Sequence, residues 1–149
     1  MLLILGKIVE IFGYNRKIVE TMRKNDVINA LINGDSNFIL WFLFPIIIIT
    51  EELIFRYYTI GILVYILGLE SIVVIFISSL FFSLFHIHIW FRYKNLRILL
   101  INLGYPFLLG LYIGYIFLKL GIIPCIIIHY VIAFYSYYNI YRRYFRNND

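Results

Sequence analysis

The sequence predicts an all-α fold, a polytopic membrane bundle of about five helices with an N-terminal amphipathic helical region. Of the 149 residues, 63% are hydrophobic and 14% are charged, whereas soluble domains are roughly half apolar and a quarter charged. From residue 37 onward, apolar stretches long enough to cross a bilayer follow one another. Glycine, proline or charged residues separate these stretches, as expected at helix ends. We therefore expect an integral, multi-pass membrane protein surrounded by a lipid bilayer.

The basic residues lie at the edges of the apolar stretches and account for the formal net charge of +5. No basic face with interleaved aromatic residues stands outside the apolar segments, so the sequence predicts no nucleic-acid partner. The positive-inside rule places three basic regions in the cytoplasm. They are the N-terminal 35 residues, the loop with Arg92, Lys94 and Arg97, and the tail with Arg142, Arg143 and Arg146.

Residues 1–36 differ from the rest because they mix charges of both signs with apolar residues at nearly helical spacing. This pattern predicts one or two amphipathic helices, interrupted near Gly13. A basic amphipathic helix before the first span is expected to lie at the membrane surface. The equally weighted alternative is a helix packed on the cytoplasmic end of the bundle. The turn Asn33-Gly34-Asp35-Ser36 closes this region.

Residues 37–141 are predicted to form the membrane-embedded core. Its first helix runs from about residue 37 to 58 and contains Pro45, and a short helix follows from Thr59 to Leu69. Further helices are expected at 71–91, at 96–120 with a break at Gly104 and Pro106, and from Gly121 and Pro124 to Tyr141. Residues 142–149 form a basic cytoplasmic tail. If the N-terminal and 92–97 basic regions are both cytoplasmic, residues 37–69 together cross the membrane once. In the alternative topology both helices of 37–69 are full spans, and the N-terminal basic region lies on the outer side or itself crosses.

Three charged residues interrupt the apolar stretch 37–69, namely Glu51, Glu52 and Arg56. Ionisable groups at membrane depth cost from ~2.5 to more than 10 kcal/mol each, so they usually face a bundle interior or a wet cavity. Glu52 and Arg56 are four residues apart on a helix and can pair directly, while Glu51 is expected to point elsewhere. A purely structural ion pair does not require the second carboxylate. Two adjacent carboxylates repel, and one that holds a proton suits proton transfer.

Histidines occur in two later helices, His86 and His88 in one and His129 in the other. Residues two apart on a helix point in nearly opposite directions, so only one of His86 and His88 is expected to face a given cavity. A lone histidine in a span is more often a packing residue than a catalytic one. Cys125 lies one turn before His129, but cysteine is a common apolar filler.

Together these residues resemble the CPBP intramembrane proteases, also called the ABI or CAAX-protease family, which includes the type II CAAX prenyl endopeptidase. The motif Glu-Glu-x-x-x-Arg is matched by Glu51, Glu52 and Arg56, and Phe-x-x-x-His by Phe82 and His86. The third motif, His-x-x-x-Asn or Asp, is matched at His129. Its last position is Ala133, which departs from the pattern. The resemblance covers roughly residues 37–141.

The resemblance implies hydrolysis of a peptide bond in or near the membrane by a glutamate-activated water. Glu51 would then be the general base, Glu52 and Arg56 would set its charge and position, and His86 would help to hold the water. His129 would donate to the oxyanion, with Asn102 or a bound water as a substitute for the missing partner at Ala133. The resemblance also implies a hydrophobic or prenylated peptide or protein as the substrate.

The use of a metal is left open, because zinc held by Glu51, Glu52, His86 and His129 and a metal-free glutamate mechanism both suit these side chains.

Two other function classes compete with the endopeptidase. A catalytically impaired relative acting as a membrane scaffold or immunity-type binding protein is favoured by Ala133. A small transporter or channel subunit would need polar residues along several helices, and these are scarce.

Overall fold

The structure is a computed structural model that describes residues 16–23, 25–33 and 38–146. Throughout these ranges the secondary structure is helical, without strands, which confirms the all-α prediction. The chain divides into two compact units, Ile48–His129 and the described residues of Met1–Ile47 with Tyr130–Asp149. The helices, in order, are α1 Arg16–Met22, α2 Asp26–Asn33, α3 at 38–66, α4 Ser71–Phe85, α5 His88–Tyr93, α6 Leu96–Leu120 and α7 Ile122–Tyr144.

The N-terminal helices pack against the last turns of α7. Val19, Met22 and Ile28 are buried together with Ile140, and Asn25 caps α2 by accepting hydrogen bonds from two backbone N–H groups. These apolar residues of the N-terminal region are therefore covered by protein, while its location at the membrane surface stays a prediction. The predicted interruption at Gly13 lies outside the described residues.

Helix α3 is continuous from residue 38 to 66, so the predicted break at Thr59 is wrong. Its Phe44–Glu52 part is α-helical, whereas Ile39–Leu43, Leu53–Ile60 and Ile62–Ile66 have the wider turns of a π-helix. The Thr59 hydroxyl donates to the Ile54 carbonyl 2.8 Å away. This side chain therefore bonds within the helix rather than ending it.

The predicted helix 71–91 is interrupted by a turn at residues 86–87. Tighter i→i+3 hydrogen bonds form there, from His86 N–H to the Ser83 carbonyl and from Ile87 N–H to the Leu84 carbonyl, both 3.0 Å long. The chain then continues as α5, His88–Tyr93. The turn leaves His86 at the end of α4.

Helix α6 matches its predicted bounds, but the expected break at Gly104 and Pro106 is wrong. Pro106 is buried inside an unbroken helix, which membrane helices tolerate because neighbouring groups satisfy the backbone. Asn95 caps the helix through its side-chain oxygen. Gly121, with φ of 81°, makes the sharp connection to α7 that a residue with a Cβ would strain. Helix α7 continues beyond the predicted Tyr141 to Tyr144.

Helices α4 and α6 approach closely because small residues lie at their contact. A Cβ added at Gly110 would lie 3.0 Å from the Ser79 Cβ, and one at Gly114 would lie 3.1 Å from the Ile75 Cγ2. Small residues at a helix interface are typical of membrane helices, whose backbones associate by close packing.

Three helical segments in the described part of the chain are long and apolar enough to cross a membrane: Ser71–Tyr93, Leu96–Leu120 and Ile122–Tyr144. The single net crossing by residues 37–69 stays a prediction.

Replacing Gly110 with Leu should destabilise the protein by roughly 1–3 kcal/mol, because the added side chain overlaps Ser79. The matched control is Gly104→Leu in the same helix, where an added Cβ meets no atom within 4 Å. Thermal unfolding in detergent measures both variants. Equal melting temperatures for the two variants would contradict the close α4–α6 contact.

Candidate active site

Glu52 is the most enclosed carboxylate of the predicted site, with a fully buried side chain. Its Oε2 lies 3.3 Å from Arg56 Nε, which confirms the predicted i,i+4 pair. Its Oε1 lies 2.7 Å from His129 Nδ1, a hydrogen bond between residues 77 positions apart in the chain. One carboxylate thus joins the middle of α3 to the first half of α7.

Arg56 is also fully buried, and its guanidinium lies over an aromatic ring. The Cζ atom is 4.2 Å from the centroid of Phe82. Nη1 and Nη2 find no hydrogen-bond acceptor among the described residues. A guanidinium over a ring face is attracted by the negative face of the ring, and the attraction is stronger where water is excluded. The Phe82 ring therefore stabilises the buried guanidinium where hydrogen-bond acceptors for Nη1 and Nη2 are missing among the described residues.

Glu51 differs from Glu52 in exposure and in partners. Its side chain is 13% exposed, and its Oε2 lies 3.8 Å from His129 Nε2. That distance is longer than a hydrogen bond. Glu51 thus faces His129 Nε2, while Nδ1 of the same imidazole bonds to Glu52. Glu51 is thus the carboxylate of the pair with both an exposed surface and a nearby imidazole.

His86 is partly buried and His88 is exposed. The expectation that they point in nearly opposite directions is wrong, because the turn at residues 86–87 brings their ring centroids to 6.2 Å from each other. The Nδ1 atom of His86 lies 2.9 Å from the Phe82 carbonyl oxygen. A carbonyl can only accept, so Nδ1 carries the proton and, in the neutral ring, Nε2 has the lone pair. His86 can therefore accept a hydrogen bond through Nε2.

The predicted zinc ligands do not assemble into a metal site. Among the residues that the structure describes, no group of three or more His, Cys, Asp and Glu side chains could hold a metal ion. Glu52 already contacts Arg56 and His129 through its two oxygens. The arrangement of these side chains therefore does not fit a metal ion.

Two further polar side chains considered from the sequence bond to backbone carbonyls. Asn102, the suggested substitute near the oxyanion, donates its amide to the Ile98 carbonyl, 2.8 Å away in its own helix. The Cys125 thiol lies 3.2 Å from the Gly121 carbonyl oxygen. These contacts fit structural roles for both side chains.

Serine side chains that the sequence analysis did not single out tie the helices around the site together. Ser78 donates to the Phe55 carbonyl of α3, and Ser83 donates to the Leu103 carbonyl of α6 over 2.7 Å. Serine in an apolar helix is the one signal that could have identified them. The arrangement as a whole offers a fixed buried carboxylate beside a more accessible one, with imidazoles on two other helices, which suits proton transfer.

The sequence matches a protein family described as type II CAAX prenyl endopeptidase Rce1-like over residues 33–135. The matched segment is more than half of the chain and includes all the residues of the site described above. Searches of curated proteins and of solved structures found no match. The family match and the three long apolar helices identify a membrane protein.

Replacing Arg56 with Met should lower the unfolding free energy by about 3 kcal/mol or more, because Glu52 then loses its buried cationic partner. The double substitution Glu52→Leu with Arg56→Met should cost less than the single one, since it removes both charges. Arg142→Met, at an exposed position of α7, is the control and should leave stability unchanged. Equal losses for the single and double variants would contradict the buried ion pair.

Proposed function

Since the chain belongs to the family of Rce1-like type II CAAX prenyl endopeptidases, we propose that it is a multi-pass membrane endopeptidase. In this proposal it hydrolyses a peptide bond at the membrane with a water activated by Glu51. The single observation that carries the proposal is the asymmetry of the two carboxylates. Glu52 is fully buried between Arg56 and His129, whereas Glu51 is partly exposed beside the same imidazole.

Glu51 acts as the general base in this mechanism. A base has to release and accept protons, so it needs access to water and no permanent cationic partner. Glu51 is 13% exposed, and its Oε2 lies 3.8 Å from His129 Nε2. His86, whose Nε2 can accept a hydrogen bond, helps to hold the water. The proton taken from the water passes from Glu51 to the leaving amine, as in general acid–base catalysis.

His129 supplies the donor to the oxyanion through Nε2. The short contact between its Nδ1 and Glu52 fixes the plane of the ring. Nε2 can donate in two protonation states of the pair. Either the imidazole carries a proton on both nitrogens, or Glu52 holds the proton that is shared with Nδ1 and the neutral ring keeps its proton on Nε2. Glu52 and Arg56 therefore act as positioning residues, because they orient the imidazole without contacting the substrate.

The proposed substrate is a hydrophobic or prenylated peptide or protein segment, as the family description suggests. Ala133 stands one helical turn after His129 in α7, where the family motif has Asn or Asp. An oxyanion donor missing at this position typically lowers kcat by about 10²- to 10³-fold. We therefore propose a slow enzyme.

Replacing Glu51 with Gln should lower kcat by about 10²- to 10⁴-fold, because the amide has nearly the same shape but cannot accept a proton. The assay is cleavage of prenylated CAAX peptides by the protein in lipid. Glu70→Gln, at an exposed position before α4, is the matched control and should keep the wild-type rate. Undiminished cleavage by Glu51→Gln would refute the assignment of the base.

Replacing Ala133 with Asn should raise kcat by up to about 10²-fold, since it restores the polar residue of the motif. Ala133→Leu has nearly the same size as the Asn variant and no polar group, so it should not raise the rate. An equal effect of both substitutions would show that packing, not hydrogen bonding, limits the rate.

A chelator separates the metal-dependent and metal-free forms of the mechanism. Cleavage that persists in the chelator supports water activation by Glu51 alone, while cleavage that is lost and then restored by zinc supports a metal bound by the predicted Glu and His ligands. Binding of the same peptides without cleavage by wild type and Ala133→Asn would favour the scaffold alternative.

A further inference from the structure

We propose that Phe82 is a positioning residue of this site, with its ring orienting Arg56 and the imidazoles of His86 and His129. The inference rests on the proposed function for its effect on catalysis and on the contacts of the ring for its structural content. Phe82 is 1% exposed and lies on α4, with its ring next to Arg56 of α3 and His129 of α7.

The ring face of Phe82 binds the guanidinium of Arg56. Their separation is 4.2 Å from Cζ to the ring centroid, well within the range of a cation–π contact. The Nε atom of the same guanidinium lies 3.3 Å from Glu52 Oε2. Because Nη1 and Nη2 have no acceptor among the described residues, the ring fixes the plane in which the guanidinium lies.

The two imidazoles stand nearly perpendicular to the same ring. The centroid of His86 lies 5.1 Å from that of Phe82 with an interplanar angle of 85°, and the corresponding values for His129 are 5.5 Å and 89°. Edge-to-face geometry is favoured because the positive edge of one ring meets the negative face of the other. Rotation of either imidazole would lose this contact.

Phe82 is itself held in place by its surroundings. Phe55 of α3 packs against it with centroids 5.3 Å apart, and the Phe82 carbonyl accepts the Nδ1 proton of His86. The Phe82 side chain therefore contacts Arg56 of α3, His86 at the end of its own helix and His129 of α7. Loss of the ring would loosen Arg56, and through Glu52 it would loosen His129, without removing any group that touches the substrate.

The test compares Phe82→Met with Phe82→Tyr and with Phe85→Met. Methionine fills much of the space but has no ring, while tyrosine keeps the ring face. Phe85 is the matched control because it lies one turn away, with its ring 5.5 Å from Phe55 and 6.0 Å from His86. We expect Phe82→Met to lower kcat by about 10²-fold through misplacement of the reacting groups. KM should change little, and Phe82→Tyr and Phe85→Met should retain most of the activity.

A second readout does not depend on activity. The chain has three histidines, so nitrogen NMR of histidine-labelled protein in detergent resolves each imidazole. Phe82→Met should shift the ring-nitrogen signals of His86 and His129 more than those of exposed His88, whose ring lies 6.2 Å from that of His86. Should Phe82→Met fail to fold, Arg56→Lys tests the same contact from the other side and should shift the His129 signals.

The outcomes separate the two proposals. If wild type cleaves peptides while Phe82→Met keeps the wild-type kcat and His129 signals, the role of Phe82 is refuted and the proposed function stands. A raised KM at unchanged kcat would also refute it, since that result places Phe82 in substrate binding. If wild type does not cleave but the His86 and His129 signals shift as expected, the orienting role stands and the proposed function falls. Unchanged His129 signals in Arg56→Lys would overturn the orienting role.

Discussion

The burial of Glu52 and Arg56 is the constraint on which the described site depends. An unpaired charge in an apolar interior costs several kcal/mol, so each group needs a partner in the same place. Arg56 follows Glu52 by one turn and supplies the nearest opposite charge. The remaining carboxylate oxygen requires a donor from elsewhere, and His129 provides it from a distant helix. The hydrogen bond between Glu52 and His129 thus fixes which face of the first turns of α7 meets α3.

The polar side chains of α4 find their hydrogen-bond partners in backbone carbonyl groups. In an apolar environment a hydroxyl or imidazole N–H bonds to a carbonyl because no water replaces it. Ser78 bonds to α3 and Ser83 to α6, and close packing at Gly110 brings the helices together. These serine hydroxyls already bond within the protein and stabilise the fold. Glu51 differs from them, because part of its carboxylate surface is exposed.

The sequence predicted features that depend on short spacing and missed those that depend on distant partners. The Glu52–Arg56 pair follows from four-residue spacing, and the bounds of α6 follow from Asn95 and Gly121 at its ends. The continuation of α3 through Thr59 depends on a side-chain bond within the helix, which residue type alone does not predict. The direction of Glu51 depends on where His129 lies. Phe82 was part of a recognised motif, but its contacts with α3 and α7 arise only in the folded chain.

The position of Phe82 along its candidate span bears on the depth of the site in a membrane. It is the middle residue of the candidate span Ser71–Tyr93, with about 17 Å of helix between it and Ser71. The hydrocarbon layer of a bilayer is about 30 Å thick, so the ring would stand near its centre if this candidate span crosses the bilayer symmetrically. If the proposed protease cuts a peptide bond at that level, its substrate must first lose helical hydrogen bonds that no lipid can replace. For a protease of this design, the ease with which a segment unwinds would select substrates as strongly as the shape of its side chains.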